Sequence, residues 1–184
     1  MRSWALAAAI SSMLATPALA EDWAREVGGW TVGRTGDMCI MTMEYEGAGA
    51  TNLTLAVNEE TEKTYLSVDN YLWSAKEGEV YELAYHLGEW VYTAPAIGTE
   101  ANYIRKGFIT SVSSEFLSDF AKSDDLEITR GAILVDDLSL KGSAAGLAVF
   151  ERCRTELARD MEQRRRDRER LSHIPTDPFA DDLD

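Results

Sequence analysis

The sequence predicts a mainly β protein of the α+β class: an antiparallel sheet, folded as a sandwich or an open barrel, with one short helix and a long C-terminal helix packed on it. Three observations carry this expectation. Between Trp30 and about Val135, short alternating runs rich in Thr, Val, Tyr and Trp are punctuated by Gly, Asn and Asp, as antiparallel strands require. Two later segments adopt the three-to-four-residue spacing of an amphipathic helix. The chain's only cysteines, Cys39 and Cys153, fall one in the strand region and one in the last helical segment.

Along the chain the candidate strands are Trp30 to Arg34, Met38 to Tyr45, Asn52 to Val57, Thr64 to Asn70, Val80 to Leu87, Trp90 to Ala94, Tyr103 to Thr110, Leu126 to Thr129 and Ala132 to Leu138. Gly47-Ala48-Gly49, Gly88-Glu89 and Arg130-Gly131 supply turn residues, so most connections read as hairpins. Ser113 to Lys122 places a serine at the N-cap, Glu115 in the first turn, and Phe116, Leu117 and Phe120 on one face. Ser143 to about Leu171 carries Leu147, Phe150, Cys153, Leu157 and Met161 as one apolar stripe. The stripe stops at Met161, so the helix end 162–171 is expected to project into solvent or to meet a partner. Residues 172–184, with two prolines and four aspartates, read as a disordered acidic tail. The folded unit is therefore a single domain over residues 21–161.

Residues 1–20 read as a secretory signal. Arg2 is the only charge, Trp4 to Leu14 is apolar, and Pro17-Ala18-Leu19-Ala20 offers the small-x-small pattern of a cleavage site. The apolar run is too short to span about 30 Å of hydrocarbon, so no membrane insertion is expected after its removal. The alanine-rich signal looks bacterial and directs the chain to the periplasm or beyond. In that oxidising compartment Cys39 and Cys153 are most simply one disulfide, closing a loop of about 115 residues for at most ~4–5 kcal/mol; a reactive thiol or a metal ligand are the alternatives.

The chain of 184 residues has 32 acidic against 18 basic residues and a net charge of −14, which becomes −15 once Arg2 leaves with the signal. This excludes nucleic-acid binding by simple charge attraction. The acidity is concentrated on the body, where residues 21–150 carry −13, whereas residues 151–171 carry +2. Arg164, Arg165, Arg166, Arg168 and Arg170 could grip an anionic partner, although interleaved Glu and Asp stand at intrahelical pairing distance. A second candidate surface is the aromatic set, chiefly Tyr71, Trp73, Trp90 and Tyr92, since Tyr and Trp line clefts and interfaces as well as cores.

No nucleophile, base and oxyanion donor assemble in a motif, so binding rather than catalysis is expected, with no cofactor or metal. A periplasmic hydrolase would have to centre on His86, which alternates onto the face opposite Tyr85 and Leu87. A Cu(I) carrier would use the thioethers of Met38, Met41 and Met43, although methionine also fills gaps beneath a helix. The acidic pairs Asp124-Asp125 and Asp136-Asp137 and the cluster at residues 58–62 read as solvated turns rather than carboxylate dyads or calcium loops.

Gly29-Trp30-Thr31-Val32 followed by Cys39-Ile40-Met41, and Leu138-Ser139-Leu140-Lys141-Gly142-Ser143-Ala144-Ala145 leading into the last helix, resemble the invasion-associated locus B family of exported bacterial proteins. The resemblance implies a small β-rich periplasmic domain with a closing helix and no established catalytic site. The expected partner is another envelope protein or a small ligand.

Overall fold

The computed structural model describes residues 23–58, 63–101 and 104–174; the signal segment, most of the acidic cluster at 58–62, Tyr103 and the tail from 175 lie outside the described residues. Ten strands and two helices follow in the order β1 (Trp23–Val27), β2 (Trp30–Thr35), β3 (Met38–Glu44), β4 (Asn52–Asn58), β5 (Thr64–Asn70), β6 (Val80–Leu87), β7 (Trp90–Ala101), β8 (Arg105–Val112), α1 (Ser114–Phe120), β9 (Asp125–Arg130), β10 (Ile133–Ser139) and α2 (Ser143–Leu171). All ten strands belong to one antiparallel sheet, ordered β1-β2-β3-β4-β5-β8-β7-β6-β9-β10, so the open curled sheet replaces the alternative of two stacked layers.

Strands β1 to β5 are a plain meander, each paired antiparallel to the next. After β5 the chain crosses through residues 71–79 and lays down β6, β7 and β8 so that β8 returns beside β5. The outer edge of β6 then accepts β9. The far end of the sheet folds back by side-chain bonds rather than a ladder. Tyr45 Oη donates to the Ser139 carbonyl at 2.8 Å, and Thr51 Oγ1 donates to Asp136 at 2.6 Å. Burial, with the Asp136 charge second, pushes the Tyr45 hydroxyl well above its ordinary range.

One apolar core fills the concave face. Trp30, Val32, Met41, Leu53, Leu55, Leu66, Tyr85, Leu126 and Ile128 are all buried there, and Phe116 and Phe120 of α1 enter it from one end. Trp30 and Phe120 meet edge to face at 5.8 Å. Helix α2 covers β2 and β3 with Leu147, Phe150 and Leu157, and Gly146 lets its backbone approach the Met41 thioether. Cys39 and Cys153 form the expected disulfide, with Cα atoms 6.0 Å apart, so the helix lies on the Met41 face of the sheet.

Three strands depart most from the sequence reading. Strand β1 is absent from it, because an edge strand paired on one side leaves Ala24, Arg25 and Glu26 exposed and shows no alternation. Strand β7 runs through Pro95 to Ala101 instead of stopping at Ala94. The Pro95 carbonyl turns toward β8, where it accepts from Thr110 Oγ1 at 2.8 Å, so the missing N–H breaks no bond to β6. Strand β8 starts at Arg105 and extends to Val112.

Candidate functional site: an apolar cleft at one end of the sheet

The 71–79 connection is turned over the concave face by buried Asn70. Its Nδ2 donates to the Ala48 carbonyl and to Thr51 Oγ1, both at 2.9 Å, and its Oδ1 accepts the Leu72 N–H at 2.8 Å. This Asx geometry sends Trp73 inward, where its ring stacks on Phe108 at 5.4 Å and 8°. Farther along, the Lys76 N–H donates to Tyr81 Oη at 2.9 Å. Facing this loop, β9 ends at Arg130, and β10 begins with Ile133, Leu134 and Val135, with a bulge between Leu134 and Asp136.

Between loop and hairpin lies a cleft of about 420 Å³, within the range of small-ligand sites. Trp73 and Phe108 form its floor, Tyr81 and Leu83 its β6 wall, and Leu72, Ile133 and Leu134 its lips. Those lips are 72%, 67% and 57% exposed, an apolar concentration that a protein surface does not ordinarily leave to water. The one charged lining residue, Arg130, holds its guanidinium 5.0 Å from the Tyr81 ring centroid and has no carboxylate partner among the described residues.

Of the sequence-selected aromatics, Trp73 belongs to the cleft and Tyr71 stands beside it. The Tyr71 ring covers Arg105 at 4.2 Å, while that guanidinium pairs with Glu44 at 2.9 Å and Asp69 at 3.2 Å. Trp90 and Tyr92 do not join them, lying at the opposite end of the β6–β7 hairpin, roughly 20 Å away along the strand. Trp90 is exposed there. The Tyr92 ring packs on Phe116 and its hydroxyl donates to Asp119 at 2.6 Å.

The arginines are also removed from the cleft, beyond the opposite end of β5. Arg164 pairs with Asp37 at 2.9 Å, so the helix end is tied to the β2–β3 hairpin for part of the length expected to project. Arg165 bonds Glu162 and Glu169, Arg166 bonds Glu162, and Arg168 is exposed beside them. Glu162 is held below the usual carboxylate range by its bonds to Arg165 and Arg166.

The thioethers of Met38, Met41 and Met43 do not converge. Alternation puts Met38 on the opposite face, Met41 is sealed under α2, and Met43 packs at Gly29. His86 lies on the outer face of the sheet, its Nε2 3.1 Å from Thr129 Oγ1, rather than in a concave pocket. Among the described residues no group of three His, Cys, Asp or Glu could hold a metal ion, and no helix is long and apolar enough to cross a membrane.

Sequence reasoning missed Leu72, Arg130, Ile133 and Leu134. The available signal was the unbroken apolar run Ile133-Leu134-Val135 directly after a tight turn, where a half-buried strand should alternate.

Fold and closure define the class as a small, disulfide-bonded antiparallel β protein with a C-terminal helix laid across its first strands. No family model matches the sequence, and no curated protein is significantly similar to it. Among solved structures, the crystal structure of invasion associated protein B from Bartonella henselae is similar in fold, with a TM-score of 0.56 at 8% identity over 72% of this chain and 99% of that one. The resemblance read from the Trp30, Cys39 and Gly142 segments is thus met by a likeness in fold.

Proposed function

We propose that this chain is an exported, non-catalytic binding protein of the bacterial periplasm that takes its ligand in the cleft between the 71–79 connection and the β9–β10 hairpin. The observation that carries this reading is the exposure of Leu72, Ile133 and Leu134 around the Trp73–Phe108 floor. Burying three such lips against a ligand contributes favourable free energy that water contact withholds. Export is supported by the signal-like residues 1–20 and by the disulfide, which persists in an oxidising compartment. The surface is thereby narrowed to Trp73 and its neighbours, because Arg164 and Arg165 already hold carboxylates within the chain.

The test is a titration of the disulfide-bonded protein with anilinonaphthalene sulfonate, an apolar anion. Saturable one-to-one binding is expected, weakened at least about tenfold by Leu134→Asp and unchanged by Trp90→Ala. Equal binding by wild type and Leu134→Asp overturns the assignment. Export is checked by the mature N-terminus in a periplasmic fraction, expected at Glu21.

A further inference from the structure

The direction of the backbone groups on β6 says what kind of ligand the cleft takes. Pro95 has no N–H, and its carbonyl is turned to Thr110 on β8. The Glu82↔Pro95 pair therefore exchanges no bonds across β6–β7. By the two-residue period of a strand, Val80, Glu82, Ala84 and His86 then direct their N–H and C=O groups to the other edge of β6. Ala84 and His86 meet Thr129 and Glu127 of β9 there. Strand β9 stops at Arg130 and turns at Gly131-Ala132, so among the described residues Val80 and Glu82 face no strand on that edge. Tyr81 and Leu83, which alternate with them, point inward and line the cleft.

We propose that the ligand is the C-terminal end of an extended peptide, which adds as a strand to this free stretch of β6 and presents its carboxylate to Arg130. The inference rests on the cleft being the binding site. An unpaired strand edge recognises another backbone, and its side chain selectivity comes from the adjoining pocket. A chain entering from the Val80 end meets the hairpin tip after roughly three residues. It must end there, which selects a terminus. Arg130 stands at that point with no carboxylate partner among the described residues, on a body whose residues 21–150 carry −13 and so repel anions elsewhere. The last side chain of the peptide would lie on the Trp73–Phe108 floor, and an apolar residue fits it.

The experiment uses isotope-labelled protein and four ligands: the peptide Ala-Val-Leu-Phe as the free acid, its C-terminal amide, its backbone N-methylated form, and dodecanoate. The free acid is expected to slow hydrogen exchange at the Val80 and Glu82 amides and to bind about tenfold or more tightly than the amide or the N-methylated form. Arg130→Gln is expected to abolish the difference between acid and amide. No protection of Val80 and Glu82 by the bound free acid, dodecanoate binding as tightly as the free acid, equal binding of acid and amide, or no peptide binding where anilinonaphthalene sulfonate still binds, overturns the peptide ligand and leaves the cleft intact. Probe binding that ignores Leu134→Asp overturns the cleft itself.

Discussion

Gly28 and Gly142 cross backbone against backbone: a Cβ on Gly142 would lie 2.2 Å from the Gly28 carbonyl oxygen. Beside this crossing, Trp30 Nε1 donates to the Lys141 carbonyl at 3.2 Å. The first hairpin and the entry to α2 are thereby fixed to each other, and the helix is aimed across β2 and β3. Gly142 has φ +82, a left-handed conformation that an L side chain occupies at a cost of about 1–2 kcal/mol. Adding the backbone clash, Gly142→Ala should lose about 2–4 kcal/mol in urea unfolding. A loss under about 1 kcal/mol would show that the crossing can relax.

The second prediction concerns Cys39 and Cys153, separated by 114 residues. Loop closure over that length supports up to about 4.7 kcal/mol, and native strain or residual structure in the unfolded chain lowers the yield. Reduction, or the Cys153→Ser and Cys39→Ser pair, should therefore cost about 2–5 kcal/mol in chemical denaturation. Helix α2 should show the largest increase in hydrogen exchange, since its apolar stripe ends soon after Cys153. Unchanged stability on reduction would remove the disulfide from the account of how the helix is held.

Strands with one buried face were legible because Leu53, Leu55 and Val57, or Leu83, Tyr85 and Leu87, alternate with outward residues. Both helices were legible for the same reason at the longer period. Strand β1 was not, since exposure on both faces leaves no pattern to read. The cleft was half legible. Trp73 stood out by composition, but Arg130, Ile133 and Leu134 meet it only because β6 accepts β9 after the chain has crossed the concave face. That pairing joins segments about forty residues apart, and no local spacing encodes it.

Arg34 continues the inward row of Trp30 and Val32, yet it is a charge with only 6% exposure. Its Nη1 donates to Asp160 and its Nε to the Gly36 carbonyl, while Nη2 is buried with no partner among the described residues. Removing one member of a fully buried pair costs about 3–5 kcal/mol. Asp160 is 46% exposed, so solvent screens part of this, and Asp160→Ala should cost about 1–2 kcal/mol. Replacing the stranded guanidinium as well should help: Arg34→Met with Asp160→Ala should be more stable than Asp160→Ala alone. If the double variant is the weaker of the two in thermal unfolding, Arg34 contributes through its stem and the Gly36 bond rather than through the ion pair.

Tyr92 and Asp119 set a pH window for the end of the sheet that α1 covers. The Tyr92 hydroxyl holds the Asp119 carboxyl below its ordinary range, with Lys122 assisting, and the same bond pushes the Tyr92 hydroxyl up to about 12. Asp119 is depressed in the folded state, so its contribution is complete above the ordinary carboxylate pKa near 3.9 and is lost as pH falls through the depressed value. Tyr92 is raised, so its contribution is complete below about 10 and is lost as pH rises through about 12. Tyr92→Phe removes both effects while keeping the ring on Phe116. The acid unfolding midpoint should move to higher pH, and the Asp119 carboxyl should titrate closer to 3.9 by NMR. An unmoved Asp119 titration in Tyr92→Phe would assign the depression to Lys122 instead, and Lys122→Met would then carry the shift.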